Sequence, residues 1–187
     1  MEKHIKFYLT LPFVAIATLA LLLVPFVAMQ FTTDVQWSLL DFVVAGTLIF
    51  GAGSVLVVSL RSAAHIAYRS GIVIAVGTTF LMLFANLAVG LIGSGPNAGN
   101  LMYGVSVAVL LAGLYLSKFK SLGMERTMFA TALSVLLVGG IALMLKLQNL
   151  PGSSVMEVVG VSIFFAVPYI IAGLLFRFVA ADRATAH

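Results

Sequence analysis

Six long apolar runs, joined by links too short to fold alone, constrain this chain more than any other feature. They lie at approximately Phe7–Met29, Trp37–Leu60, Ser70–Gly93, Leu101–Ser117, Thr127–Leu145 and Val155–Phe176. A helix rises about 1.5 Å per residue, so about 20 apolar residues cross the hydrocarbon core of a bilayer. In lipid every backbone N–H and C=O must find a partner within the protein, and a helix provides one inside a single segment. The runs therefore predict an all-α integral membrane bundle of six transmembrane helices, a single domain over residues 1–187. A transmembrane β-barrel would instead show short segments of alternating polarity.

Composition agrees. Hydrophobic residues make up 62% of the chain and charged residues 9%, against about 25% charged in a typical soluble domain. That excludes an ordinary soluble domain, a disordered chain and a nucleic-acid binder. The links carry helix breakers: SGPNAGN at 94–100 and NLPGSS at 149–154. Proline lacks a backbone donor, and glycine is too flexible to hold a helix. Lys3 and Lys6 before the first run resemble the start of a signal peptide, but the run is longer than an ordinary signal core and leads to no clear cleavage site. It is read as the first membrane helix.

The charges predict orientation. Lys3, Lys6, Arg61, Arg69, Lys118, Lys120, Arg126, Arg177 and Arg183 fall on one side of the six runs, and Lys146 alone on the other. Cytoplasmic loops collect Lys and Arg, so both termini are expected to be cytoplasmic. An odd number of spans would break this alternation. Trp37 is then placed at the outer interface, and the basic belt faces anionic lipid headgroups at the cytoplasmic surface.

Lipid tails are as apolar as leucine, so close contact between small residues must help to join the helices. Gly104, Ala108 and Ala112 share one face of the fourth run; Gly71, Ala75 and Thr79 share one of the third; Gly46 and Gly53 share one of the second. Packing within the chain is the first reading of these stripes, and a homodimer seam the second. Pro12, Pro25 and Pro168 lie inside runs and favour kinks, which serve shape first and hinges second. No internal repeat is evident.

Ionisable and amide groups within spans need an explanation, because placing them in hydrocarbon is costly. Asp41 lies four residues inside Trp37, and Asn86 shares a helical face with Thr79 and Gly90. Asn97, Asn100 and Tyr103 follow in and after the next link. With six spans, all five fall in the outer third of the protein. They form a candidate polar site for an ion or a small polar solute, with Asp41 as cation ligand or proton carrier. The competing reading is structural: amide and carboxylate hydrogen bonds between membrane helices contribute about 1 kcal/mol each. Lys146 and Glu157 are expected to pair across the last outer link, and His65 and Tyr68 to serve as interface anchors.

Cysteine is absent from the sequence, which excludes disulfides and thiolate chemistry. His4, His65 and His187 lack metal-site spacing, and no aspartate cluster suits magnesium. No GxSxG, HExxH or phosphate-loop motif occurs. No cofactor, metal or catalytic residue is therefore expected.

The stretch from Trp37 to about Ala132 resembles a group of small bacterial polytopic inner-membrane proteins. The resemblance rests on Asp41-Phe42, Ala45-Gly46, Gly51, Tyr68-Arg69, Asn86, Ala88-Val89-Gly90, Ile92-Gly93, Asn97, Asn100-Leu101-Met102-Tyr103-Gly104 and Gly123-Met124, and covers about half the chain. It implies a bacterial inner-membrane location and no particular activity. The expected function is a non-enzymatic structural or accessory membrane protein, with a membrane-protein partner or a second copy of itself. The alternative is a transporter or channel-like protein for an ion or small polar solute.

Overall fold

The computed structural model describes residues 2–63, 65–95 and 97–185, with the side chains of 2–10 and of Ser62 excepted. The side chains of Lys3, His4 and Lys6, and all of His187, lie outside the described residues. The chain is all-helical, with no strand among the described residues. The helices are α1 (Glu2–Phe31), α2 (Leu39–Ser62), α3 (Ile66–Ala88), α4 (Tyr103–Ser117), α5 (Ser121–Met144) and α6 (Val155–Thr185). Short 3-10 turns at Ala98–Met102 and Leu147–Asn149 complete the order. Six helical segments are long and apolar enough to cross a membrane, the architecture of a multi-pass membrane protein.

Several boundaries differ from those expected. The third helix stops at Ala88 rather than Gly93, and residues 89–95 form an irregular loop. Gly90 takes φ +80°, a left-handed conformation that ends a helix and that side chains with a Cβ rarely adopt. The fifth helix begins at Ser121 rather than Thr127, and the sixth runs to Thr185 rather than Phe176. Charged residues cost nothing where a helix leaves the hydrocarbon, so both helices continue through them. The first three helices also begin or end a few residues away from the apolar runs.

The chain divides into two compact units, Met1–Ser62 and Ala63–His187. The first is an antiparallel hairpin of α1 and α2. A Cβ on Gly53 would stand 2.8 Å from Val14, and one on Gly46 would stand 3.2 Å from Leu22. As α1 advances, its partners recede along α2, which sets the antiparallel sense. Around the link, Phe42 packs edge-on against both Trp37 and Phe26, with ring centroids 5.3 and 6.4 Å apart.

In the second unit α6 packs against both α3 and α5, and α4 packs against α5. Small residues set these approaches. Gly71 of α3 faces the Phe176 ring, Gly173 of α6 faces Phe129 of α5, Gly139 of α5 meets Ser162 of α6, and Gly113 of α4 meets Thr127 of α5. Met82, Met128, Val135, Val158, Tyr169 and Phe176 fill the interior and are almost completely buried. Leucines, valines and phenylalanines cover the outside instead, as a lipid-facing surface requires. The α4 stripe departs from expectation: Gly104, Ala108 and Ala112 are exposed, and α4 buries Tyr103, Ser106, Leu110 and Ser117. Nothing lies within 4 Å of a Cβ built on Gly104. In an apolar solvent a small-residue face gains nothing from being hidden unless a neighbour fits it closely.

Candidate functional site

Asp41 belongs to the start of its own helix. Ser38 is the residue before α2, and its backbone N–H and its hydroxyl both donate to Asp41 Oδ2 at 2.7 Å. The Asp41 backbone N–H approaches Ser38 Oγ at 3.3 Å. This is a reciprocal capping box, in which two groups left unpaired at a helix start satisfy each other. The carboxylate also sits where the positive end of the helix dipole favours negative charge. The Ser38-Leu39-Leu40-Asp41 spacing is a legible sequence signal for such a cap. The α6 start repeats half of it, with the Glu157 N–H donating to Ser154 Oγ at 3.1 Å.

The other four candidates lie in the second unit, and the three asparagines are joined. Asn100 Oδ1 accepts from two consecutive backbone amides, Leu91 at 2.8 Å and Ile92 at 2.9 Å. Its Nδ2 donates to the Gly95 carbonyl at 3.2 Å. Its own backbone carbonyl accepts from Asn86 Nδ2 at 3.1 Å. Asn97 caps the following 3-10 turn by accepting from the Gly99 N–H at 2.9 Å, and donates to the Ile92 carbonyl at 2.6 Å. Loop 89–95 is thus wound around two carboxamides. Its glycines permit this: a Cβ on Gly90 would stand 2.7 Å from Asn100 Nδ2.

The same loop is tied to the link between α5 and α6. The backbone N–H and hydroxyl of Ser94 both donate to the Pro151 carbonyl, at 2.9 and 3.0 Å. Leu91, Ile92 and Gly93 are buried. Irregular backbone at a helix end in lipid is tolerated only when covered and satisfied by protein, and here carboxamides supply the missing partners.

Tyr103 and Ser106 behave differently from the asparagines. Tyr103 is 1% exposed and Ser106 is fully buried. Neither hydroxyl has a hydrogen-bond partner among the described residues, and neither does Asn86 Oδ1. The Ser162 hydroxyl of α6 is the polar side chain the Tyr103 hydroxyl faces, and it is already committed as a donor to the Val158 carbonyl.

At the opposite end of the second unit, the early start of α5 puts Glu125 inside a helix. Its side chain is 14% exposed and lies 4.0 Å from Arg177 Nε. The sequence reading missed it by starting the helix too late. His65 caps α3, its Nδ1 accepting from the Ala67 N–H at 3.1 Å, while Nε2 lies 3.7 Å from Asp182. The Tyr68 hydroxyl donates to the Phe119 carbonyl at 2.6 Å, so both residues fix helix starts and turns. Lys146 and Glu157 do not pair among the described residues; Lys146 lies in a left-handed turn, and the Glu157 backbone is bound to Ser154. No group of three metal-ligating side chains occurs among the described residues. No protein-family model matches the chain, and no curated protein or solved structure matches it significantly.

Proposed function

We propose that this chain is a multi-pass protein of a bacterial inner membrane, with both termini cytoplasmic, acting as a non-enzymatic structural or accessory component. One observation carries the reading: three of the five candidate polar side chains are spent on folding the chain. Asp41 caps α2, and Asn97 and Asn100 hold the loop after α3. The orientation is supported by the basic residues. In the second unit Arg69, Lys118, Lys120, Arg126, Arg177 and Arg183 collect toward the end away from loop 89–95. Such a belt suits anionic headgroups.

Native mass spectrometry of protein extracted gently from its own membrane tests the function. A stoichiometric second polypeptide supports the accessory role, and a bare monomer counts against it. The cysteine-free chain makes orientation simple to test. A single cysteine at Lys120 is expected to react only from the cytoplasmic side, and one at Asn149 only from the other.

A second reading is transport of a small polar solute. It is favoured by the unpartnered Asn86 Oδ1 and Tyr103 hydroxyl inside the second unit. Equal solute flux through liposomes bearing wild type and Asn86→Leu would remove that reading.

A further inference from the structure

Hydroxyl groups in these helices usually satisfy themselves. Thr18, Thr47, Thr78, Thr79, Thr131 and Ser162 each donate to the backbone carbonyl four residues earlier, at 2.7 to 2.8 Å. Ser106 is fully buried yet makes no such bond. Three residues earlier on the same face of α4, the Tyr103 hydroxyl is also unsatisfied. One turn earlier again, the Asn100 carbonyl holds Asn86 Nδ2 at 3.1 Å, leaving Asn86 Oδ1 buried and unpaired. Tyr169 provides the contrast. It is equally buried, but its hydroxyl lies 2.7 Å from Thr79 Oγ1. Since Thr79 already donates to the Ala75 carbonyl, Tyr169 is the donor.

A buried hydroxyl or carbonyl without a partner loses the hydrogen bond it makes to water in the unfolded chain, and so destabilises the fold. Three such groups, one on α3 and two on α4, are not explained by packing alone. We propose that Asn86, Tyr103 and Ser106 form an internal water-binding site in the second unit. The chemistry selects the ligand. Two hydroxyls and one carboxamide oxygen are neutral and offer both donors and acceptors, which matches water, itself both donor and acceptor. An internal water typically makes about three hydrogen bonds, which this set supplies. The site depends on neither the accessory nor the transport reading.

Radiolytic hydroxyl-radical labelling with mass-spectrometric readout tests it on the full-length protein in lipid nanodiscs. Radicals made from a bound water attack the side chain beside it. Tyr103 is expected to be labelled several-fold faster than Tyr169, although both are buried. Ser106→Ala, a change that leaves no cavity larger than the lost oxygen, is expected to slow Tyr103 labelling while leaving Tyr169 unchanged. Labelling of Tyr103 no faster than Tyr169 in the wild type would overturn the proposal. A second check uses the sign of a stability change. Tyr103→Phe lowers the melting temperature if the hydroxyl binds water. A rise would mean that the hydroxyl is a dry, unsatisfied group, and would also overturn it.

Discussion

Asn100 Oδ1 stands 2.9 Å from the backbone N–H of Ile92, eight residues earlier in the chain. One side chain thereby supplies a partner that a continuing α3 would have provided from its own backbone. The same oxygen accepts from Leu91, so two consecutive amides of the loop after α3 rest on one carboxamide, while Asn97 holds the Ile92 carbonyl.

Asn100→Leu is therefore expected to be among the most damaging single changes. It leaves two buried amides unsatisfied, a loss on the order of 3 kcal/mol. The melting temperature in detergent should fall clearly, and hydrogen exchange at Leu91 and Ile92 should accelerate more than in α5. Gly90→Ala should act on the same unit, because its Cβ would crowd Asn100 Nδ2 in a left-handed backbone. Exchange at Leu91 and Ile92 unchanged in Asn100→Leu would show that the loop is held by something else.

Asp41 gives a prediction of the opposite kind. Asp41→Asn and Ser38→Ala disrupt one capping box, so each should lower the melting temperature modestly. The double variant should cost less than the sum of the two, because both remove the same bonds. A thermal-melting double-mutant cycle measures this directly. Additive losses would separate Asp41 from the cap and return it to consideration as a ligand.

A side-chain hydrogen bond from Tyr169 to Thr79 joins α6 to α3. Tyr169→Phe keeps the ring and removes the donor, and should destabilise by about 1 kcal/mol. Thr79→Val should have a similar effect, and the two should be strongly coupled. Independent effects in the cycle would contradict the bond.

Two glycines on α4 should respond in opposite ways. A Cβ on Gly113 would collide with the Thr127 side chain, whereas one on Gly104 meets nothing within 4 Å. Gly113→Ala should push α4 away from α5 and lower the melting temperature. Gly104→Ala should be neutral or slightly stabilising, since alanine is the better helix former by about 1 kcal/mol. Equal loss from both would mean that the Gly104 face is also covered in the membrane.

Much of the architecture was legible in the residues themselves. Hydrocarbon offers backbone groups no partner, so runs of about 20 apolar residues must be helical wherever they lie. The chain therefore announced its six helices before any tertiary contact was known. The turns at SGPNAGN and NLPGSS were equally plain, because proline and glycine break helices by their own geometry. The cap at Ser38–Asp41 is a local signal too, a serine and an acid one helical turn apart, but an acid at the edge of an apolar run equally suggests a ligand, and the bonds to Ser38 decide for the cap.

What the tertiary structure decided was direction and partnership. The α4 stripe of Gly104, Ala108 and Ala112 suggested a packed face, yet the helix buries Tyr103 and Ser106 instead. Apolar periodicity identifies the buried face of a helix in water, but in lipid both faces are apolar and only shape distinguishes them. Asn86 and Asn100 were recognisable as polar residues in an apolar setting. That Asn100 would end α3 by binding Leu91 and Ile92 depended on a loop returning past Gly90, a relationship between segments. Glu125 entered α5 for a related reason, since a helix end extends past the hydrocarbon wherever its neighbours support it. The sequence alone determined which segments are helical because that choice is made residue by residue against the solvent. The fold determined which polar atoms are satisfied because each hydrogen bond needs a second group from elsewhere in the chain.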